Sequence, residues 1–206
     1  MERGKISLLE NLYTGYRFGR TKMFWSLVVL LAQTCLGSHF RGGYFLWKPT
    51  ENPDEIDISY RISWRRTYSI DHFCNDTDIM NKTLKSGEGS IICFEGCGAQ
   101  KNVIITALSY YCTDYSPTED WSTGIRSIRY NVSSANSSIV FGFTGGDWIT
   151  LLQGGSSWSM RAWTSLTIRT DTRRINHSPV TSVSPIIRVV LGCRVTINML
   201  GIDNNY

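Results

Sequence analysis

The chain has 206 residues, 21 Lys and Arg against 17 Asp and Glu, six cysteines and a sequence pI near 8.8. Five of the basic and two of the acidic residues fall within residues 1–37, so the remainder holds 16 against 15 and is close to neutral. With no Lys/Arg run beyond the pairs Arg65-Arg66 and Arg173-Arg174, a nucleic-acid partner is excluded.

The first element is the apolar stretch "MFWSLVVLLAQTCLG" at 23–37. Its apolar run of roughly 13 residues gives about 20 Å of helix, short of the ~30 Å hydrocarbon core. Arg17, Arg20 and Lys22 precede it and small residues follow it, which is the pattern of a secretory signal. We expect residues 1–37 to be a signal segment cut after Gly37 or Ser38. An uncleaved signal-anchor is the alternative, and the membrane is expected as a partner through this segment alone. Met23 is a second candidate initiator.

The clearest strand follows in "EIDISYRISWRR". Ile56, Ile58, Tyr60, Ile62 and Trp64 alternate with polar residues, placing one face on a core and one in water. Further β-like runs are "NVIITALSYYC" (102–112), "IRSIRYNV" (125–132), "SIVFGFT" (138–144), "DWITLLQ" (147–153), "RAWTSLTIRTD" (161–171), "IIRVVLG" (186–192) and "RVTINML" (194–200). Turn sequences such as Gly145-Gly146 and Gly154-Gly155 separate them. Short strands at near-regular spacing predict an all-β fold, an antiparallel β-sandwich over residues 38–175. Residues 176–206, opening with "NHSPVTSVSP", read as a linker and the start of a second β domain. That last strand pair either completes the first sandwich or belongs to a domain cut short, and the unpaired Cys193 favours the second.

In an exported chain, Cys74, Cys93, Cys97 and Cys112 are disulfide candidates with three possible connectivities. Zinc fits them poorly, because Cys93-x3-Cys97 has no matching second pair. Asn75, Asn81, Asn131, Asn136 and Asn176 each begin an Asn-x-Ser/Thr acceptor for N-glycosylation. The acidic stretches "NDTD" and "TDYSPTED" lack EF-hand spacing and read as turns. His39, His72 and His177 accompany no nucleophile motif, and neither a phosphate loop nor a dinucleotide fingerprint is present. No catalytic residue, metal ligand or cofactor is therefore assigned. Of the six tryptophans beyond the leader, Trp121 and Trp158 lie in loop-like sequence and are the candidates for stacking a glycan.

The succession "SHFRGGYFLWKP", "ISYRISWRR", "YYCTDYS", "DWSTGIRSIRYN", "FGFTGGDWI" and "NHSPVTSVSPIIRV" resembles a group of extracellular multi-domain proteins from invertebrates such as molluscs and cnidarians, over residues 38–192. The resemblance implies an extracellular location and a multi-domain context, and it transfers no functional residue. The expected function is a non-catalytic recognition or adhesion domain of a larger surface or matrix protein, with an extracellular protein as partner. A secreted glycan-binding module using Trp121 or Trp158 is the alternative.

Overall fold

A computed structural model of the chain describes residues 39–52, 54–98, 100–132, 138–146, 148–149, 157–182, 187–198 and 200–203. The expected signal segment lies outside them. Seven strands form one sheet: β1 (Phe40–Pro49), β2 (Glu55–Arg65), β3 (Leu84–Glu95), β4 (Val103–Ser116), β5 (Trp121–Asn131), β6 (Ser138–Gly145) and β7 (Trp158–Ser165). Their order is β1-β2-β5-β4-β3-β6-β7, and every neighbouring pair is antiparallel. The fold is all-β, as the alternation in the sequence predicts. A helical turn, α1 (Asp76–Met80), precedes β3, and a separate two-stranded sheet pairs β8 (Val180–Ser182) with β9 (Leu200–Ile202). No helix among the described residues is long and apolar enough to cross a membrane.

The sheet folds over on itself into a near-closed barrel with a sandwich-like core. The hinge is β4, whose C-terminal part (Tyr111–Ser116) pairs with β5 while Val103–Tyr111 pairs with β3. Where β5 and β4 part company, Tyr60 Oη donates to Ser109 O at 2.6 Å and Arg126 bonds Ser109 Oγ, so side chains bridge the gap that the ladder leaves. Inward-facing residues of β2 (Ile58, Tyr60, Ile62, Trp64) meet Leu108 and Tyr110 from β4 and Phe141 and Phe143 from β6 in one buried cluster. At the seam, Phe40 of β1 stacks on Trp158 of β7 with ring centroids 3.9 Å apart. The backbone oxygen of Phe40 also accepts from Ile149 N at 3.1 Å.

Two strands of the main sheet were not foreseen, nor was β8, which lies in the expected linker. β1 carries Gly42, Gly43 and Pro49, and β3 carries Gly87 and Gly89, residues that lower strand propensity. The glycines serve close approach instead. A Cβ on Gly43 would lie 2.3 Å from the Arg61 carbonyl oxygen, and one on Gly87 would lie 2.7 Å from a Leu108 methyl. In the other direction, of the strands expected at 186–192 and 194–200 only Leu200 is in one, as the start of β9, and the described residues 187–198 hold no strand. Val189, Val190, Leu191 and Ile197 are exposed there. A sheet of two three-residue strands has no second layer under which to bury them. Ser178 connects this segment to the barrel, its N donating to Trp47 O at 3.0 Å while its Oγ accepts from Trp47 N.

Disulfides join Cys74 to Cys112 and Cys93 to Cys97. The first ties the loop before α1 to β4, and α1 itself is fixed by a capping box between Asn75 and Asp78. Lys85 then reaches Asp78 at 3.1 Å. Cys193 is exposed and unbonded within this chain.

Loop closure makes the two disulfides unequal. With separations of 38 and 4 residues, they are worth about 4 and about 2 kcal/mol in the chain-entropy account. Replacing Cys74 and Cys112 together by Ser is expected to lower the urea midpoint clearly more than replacing Cys93 and Cys97. Equal losses would show that loop length does not set their contribution.

Candidate functional site

Strand alternation turns one residue in two outward, and the registers line these up into rows. One row runs across five strands: Tyr44 pairs Arg61, Arg61 pairs Ile125, Ile125 pairs Tyr111 and Tyr111 pairs Leu84. At about 4.8 Å per strand it is roughly 19 Å long. Tyr44, Ile125, Tyr111 and Leu84 are 38–49% exposed, high for large apolar side chains on a sheet. Arg61 in their midst is held in place: its Nε donates to Thr123 Oγ1 at 3.1 Å. That buried hydroxyl also accepts from Ser63 Oγ and donates to Ile62 O.

Four residues along the same face lies a charged row of Lys48, Asp57 and Arg129, with Arg129 Nε 3.1 Å from Asp57 Oδ1. Between the two rows, Ser59 and Ser127 share a 2.8 Å hydrogen bond. A polar groove of about 420 Å³ follows Lys48, Asp57, Ser59, Ser127 and Arg129. It continues into a cleft of about 650 Å³ beside the turn Thr50–Asn52. Tyrosines and an ordered arginine beside polar rows have the composition of a protein-recognition surface, where such residues carry most of the binding energy.

A second cluster sits at one end of the barrel. His39, Trp64, Tyr68 and His72 are stacked with nearly parallel rings. Centroid distances are 3.9 Å for His39–Tyr68, 4.5 Å for Trp64–His72 and 5.6 Å for His39–His72. Glu88 caps the pair of histidines, with Oε2 2.8 Å from His39 Nε2 and Oε1 4.0 Å from His72 Nε2. A carboxylate only accepts, so the His39 proton sits on Nε2. Neither nitrogen of His72 has a hydrogen-bond partner. Burial first, and the neighbouring His39 second, depress its pKa to about 4, against the opposing pull of Asp71. Among the described residues, no group of three or more His, Cys, Asp or Glu is placed to hold a metal ion. Parallel imidazoles point their nitrogens side by side, whereas a metal needs them convergent.

The residues singled out from sequence are dispersed. Trp158 stands at the barrel end with one face against Phe40 and its Nε1 donating to Gly146 O at 2.7 Å. Trp121 is half-buried at the start of β5 and donates to Glu119 Oε2 at 3.1 Å. Glu119 also pairs with Arg188, and these bonds hold its carboxyl below the usual range. Asn81, Asn131 and Asn176 are exposed. Asn75 caps α1 through Oδ1, which accepts from Asp78 N at 2.9 Å. Asn136 lies outside the described residues.

Residues 41–168 match the family described as the N-terminal part of integrin beta-like proteins A–E. The chain belongs to this family. It is 22% identical over 192 residues to integrin beta-like protein C of Dictyostelium discoideum, covering 89% of the chain and 9% of that protein. The chain thus spans about a tenth of the length of the curated relative it matches. No solved structure matches. The integrin beta-like family is a non-catalytic, adhesion-type class, and the homology gives the chain an extracellular context. The relationship to extracellular proteins therefore holds. It is not specific to invertebrates such as molluscs and cnidarians, since the matched relative is from Dictyostelium.

His72 generates a pH prediction. Its folded pKa of about 4 lies below the ~6.5 of an unfolded histidine, so the unfolded chain takes up the proton first. Stability should be constant above pH 6.5 from this source and fall between pH 6.5 and 4, by about 3 kcal/mol at most. In His72→Phe, which keeps a stacked ring, that part of the loss should vanish. Urea titrations at pH 7.5 and 4.5 on both proteins measure it, and identical pH dependence would refute the assignment.

Proposed function

We propose that this chain is an extracellular recognition domain of a larger adhesion-type surface protein, and that it binds a protein partner through the outer face of β1-β2-β5-β4-β3. The observation that carries the reading is the exposed five-strand row Tyr44–Arg61–Ile125–Tyr111–Leu84. Integrin beta-like family membership supports it. Tyrosine and arginine concentrate binding energy, and a guanidinium already fixed by Thr123 loses little freedom on docking. The charged row of Lys48, Asp57 and Arg129 would form the polar rim.

In this reading residues 1–37 direct export, residues 38–175 are the recognition domain and residues 176–206 lead on to a neighbouring β domain. Glycans on Asn81, Asn131 and Asn176 would keep those positions solvent-facing. The glycan-binding alternative rests on Trp158, which lines the cleft considered below.

Cell attachment to a surface coated with the purified chain tests the proposal. Tyr111→Ala removes a side chain that is 40% exposed, and Arg61→Ala leaves the Thr123 hydroxyl its bonds to Ser63 Oγ and Ile62 O, so each should leave the unfolding temperature nearly unchanged while weakening attachment about tenfold. Attachment unaffected by both variants would remove this face from the function. Hydrolytic turnover abolished by a point substitution would overturn the recognition reading itself.

A further inference from the structure

The closed end of the barrel contains a cleft of about 120 Å³, distinct from the outer row. It is lined by His39, Trp64, Glu88, Phe143, Trp158 and the glycines at 89, 145 and 146, together with Thr144. Five separate pieces of chain meet there: the start of β1, the end of β2, the middle of β3, the end of β6 and the start of β7. The rings present walls in several orientations. Trp64 and Phe143 lie at 68° with centroids 6.2 Å apart, and Phe143 and Trp158 at 58° with centroids 4.2 Å apart.

Glycine keeps this space open. A Cβ on Gly145 would fall 2.7 Å from Trp158 Cζ2, so only glycine lets the indole lie against that backbone. A Cβ on Gly146 would meet nothing within 4 Å among the described residues. Among the described residues the cleft is lined by one acid and by no Lys or Arg. The Glu88 carboxylate is half-exposed and oriented from behind by the buried His39. Its close partners among the described residues are imidazoles, not fixed cations.

From this arrangement we infer that the cleft is a binding site for a single cationic side chain, the arginine or lysine of an extracellular protein partner, held between the partly exposed Trp158 ring and the Glu88 carboxylate, with the buried Trp64 and Phe143 behind them. Aromatic faces attract cations through their quadrupole, most strongly at tryptophan, and a carboxylate at the rim adds the opposite charge. Size selects the class further. The volume equals about four waters at ~30 Å³ each, whereas sites for drug-sized ligands hold ~300 Å³ or more. One guanidinium or ammonium head fits, and an extended sugar chain does not.

The experiment uses the full chain with its disulfides intact and follows the tryptophan indole N–H resonances by NMR. The probes are an acetylated Gly-Arg-Gly amide and its citrulline counterpart, which keeps the shape and removes the charge. The expected result is a saturable shift with the arginine peptide and none with citrulline. Glu88→Gln should weaken binding about tenfold, and Gly146→Leu, placed at a lining residue where a Cβ meets nothing within 4 Å among the described residues, should abolish it. Tyr111→Ala on the outer face should leave it unchanged, so failure here is separable from failure of the recognition face. Equal response to the citrulline peptide, or indifference to both cleft variants, would overturn the site. So would saturation of the same resonances by phosphocholine vesicles or by an oligosaccharide panel in the absence of any response to the arginine peptide.

Discussion

The structure depends on closing a seven-stranded sheet whose two outer strands, β1 and β7, do not share a continuous ladder. Phe40 performs that closure. It is fully buried, stacks on Trp158 and packs edge-on against Trp64, Phe143 and Trp148. Aromatic pairs of this kind contribute about 0.5–1.5 kcal/mol each beyond their buried area. A seam made of rings has a different character from one made of backbone hydrogen bonds, because it depends on side chains from four strands and on Trp148 arriving together. Both sites described above follow from it. The outer rows form because β1, β2 and β5 stay in register from Gly42 onward, and the end cleft lies where rings, not strands, complete the barrel.

The two sites also differ in how they are supported. The outer row stands on the best-paired region of the sheet, where β2 matches β1 and β5 over nearly its whole length. A binding face on such a scaffold gains by rigidity. The end cluster is assembled from distant pieces around two histidines, and their burial is the least comfortable feature of the interior. Buried nitrogens without partners cost stability, as do the Trp64 indole N–H and the Tyr110 hydroxyl in the same interior. Burial also raises the Tyr110 pKa, so the hydroxyl stays neutral.

Much of the fold was legible in the chain. Period-two alternation over Ile56–Trp64 located β2 and its inner face, and the β-like run at 102–112 located most of β4. The β3 and β1 strands were hidden because their glycines argue locally for turns, and only the Leu108 side chain and Arg61 carbonyl against which they pack explain them. The apolar run at 186–192 misled in the opposite sense, since hydrophobicity forms a strand only where another layer covers it. The outer row was half-visible: alternation marks Arg61 as outward, but its alignment with Ile125, Tyr111 and Leu84 is a matter of register. The end cleft was invisible, because His39, Trp64, His72 and Glu88 are brought together by tertiary closure alone.

The bond between Ser178 and the two polar groups of Trp47 has a consequence for solution behaviour. β1 has a neighbour on one side only, and an unpaired strand edge is a template for joining other chains. Here the Trp47 amide and carbonyl are occupied by Ser178, the Phe40 carbonyl is occupied by Ile149, and a bulge with Gly42 at φ +121° interrupts the stretch between. The segment leaving the barrel is thus a guard against edge-to-edge aggregation as well as a connection. A chain trimmed before Ser178 would keep its core and disulfides, yet present an open strand to its neighbours.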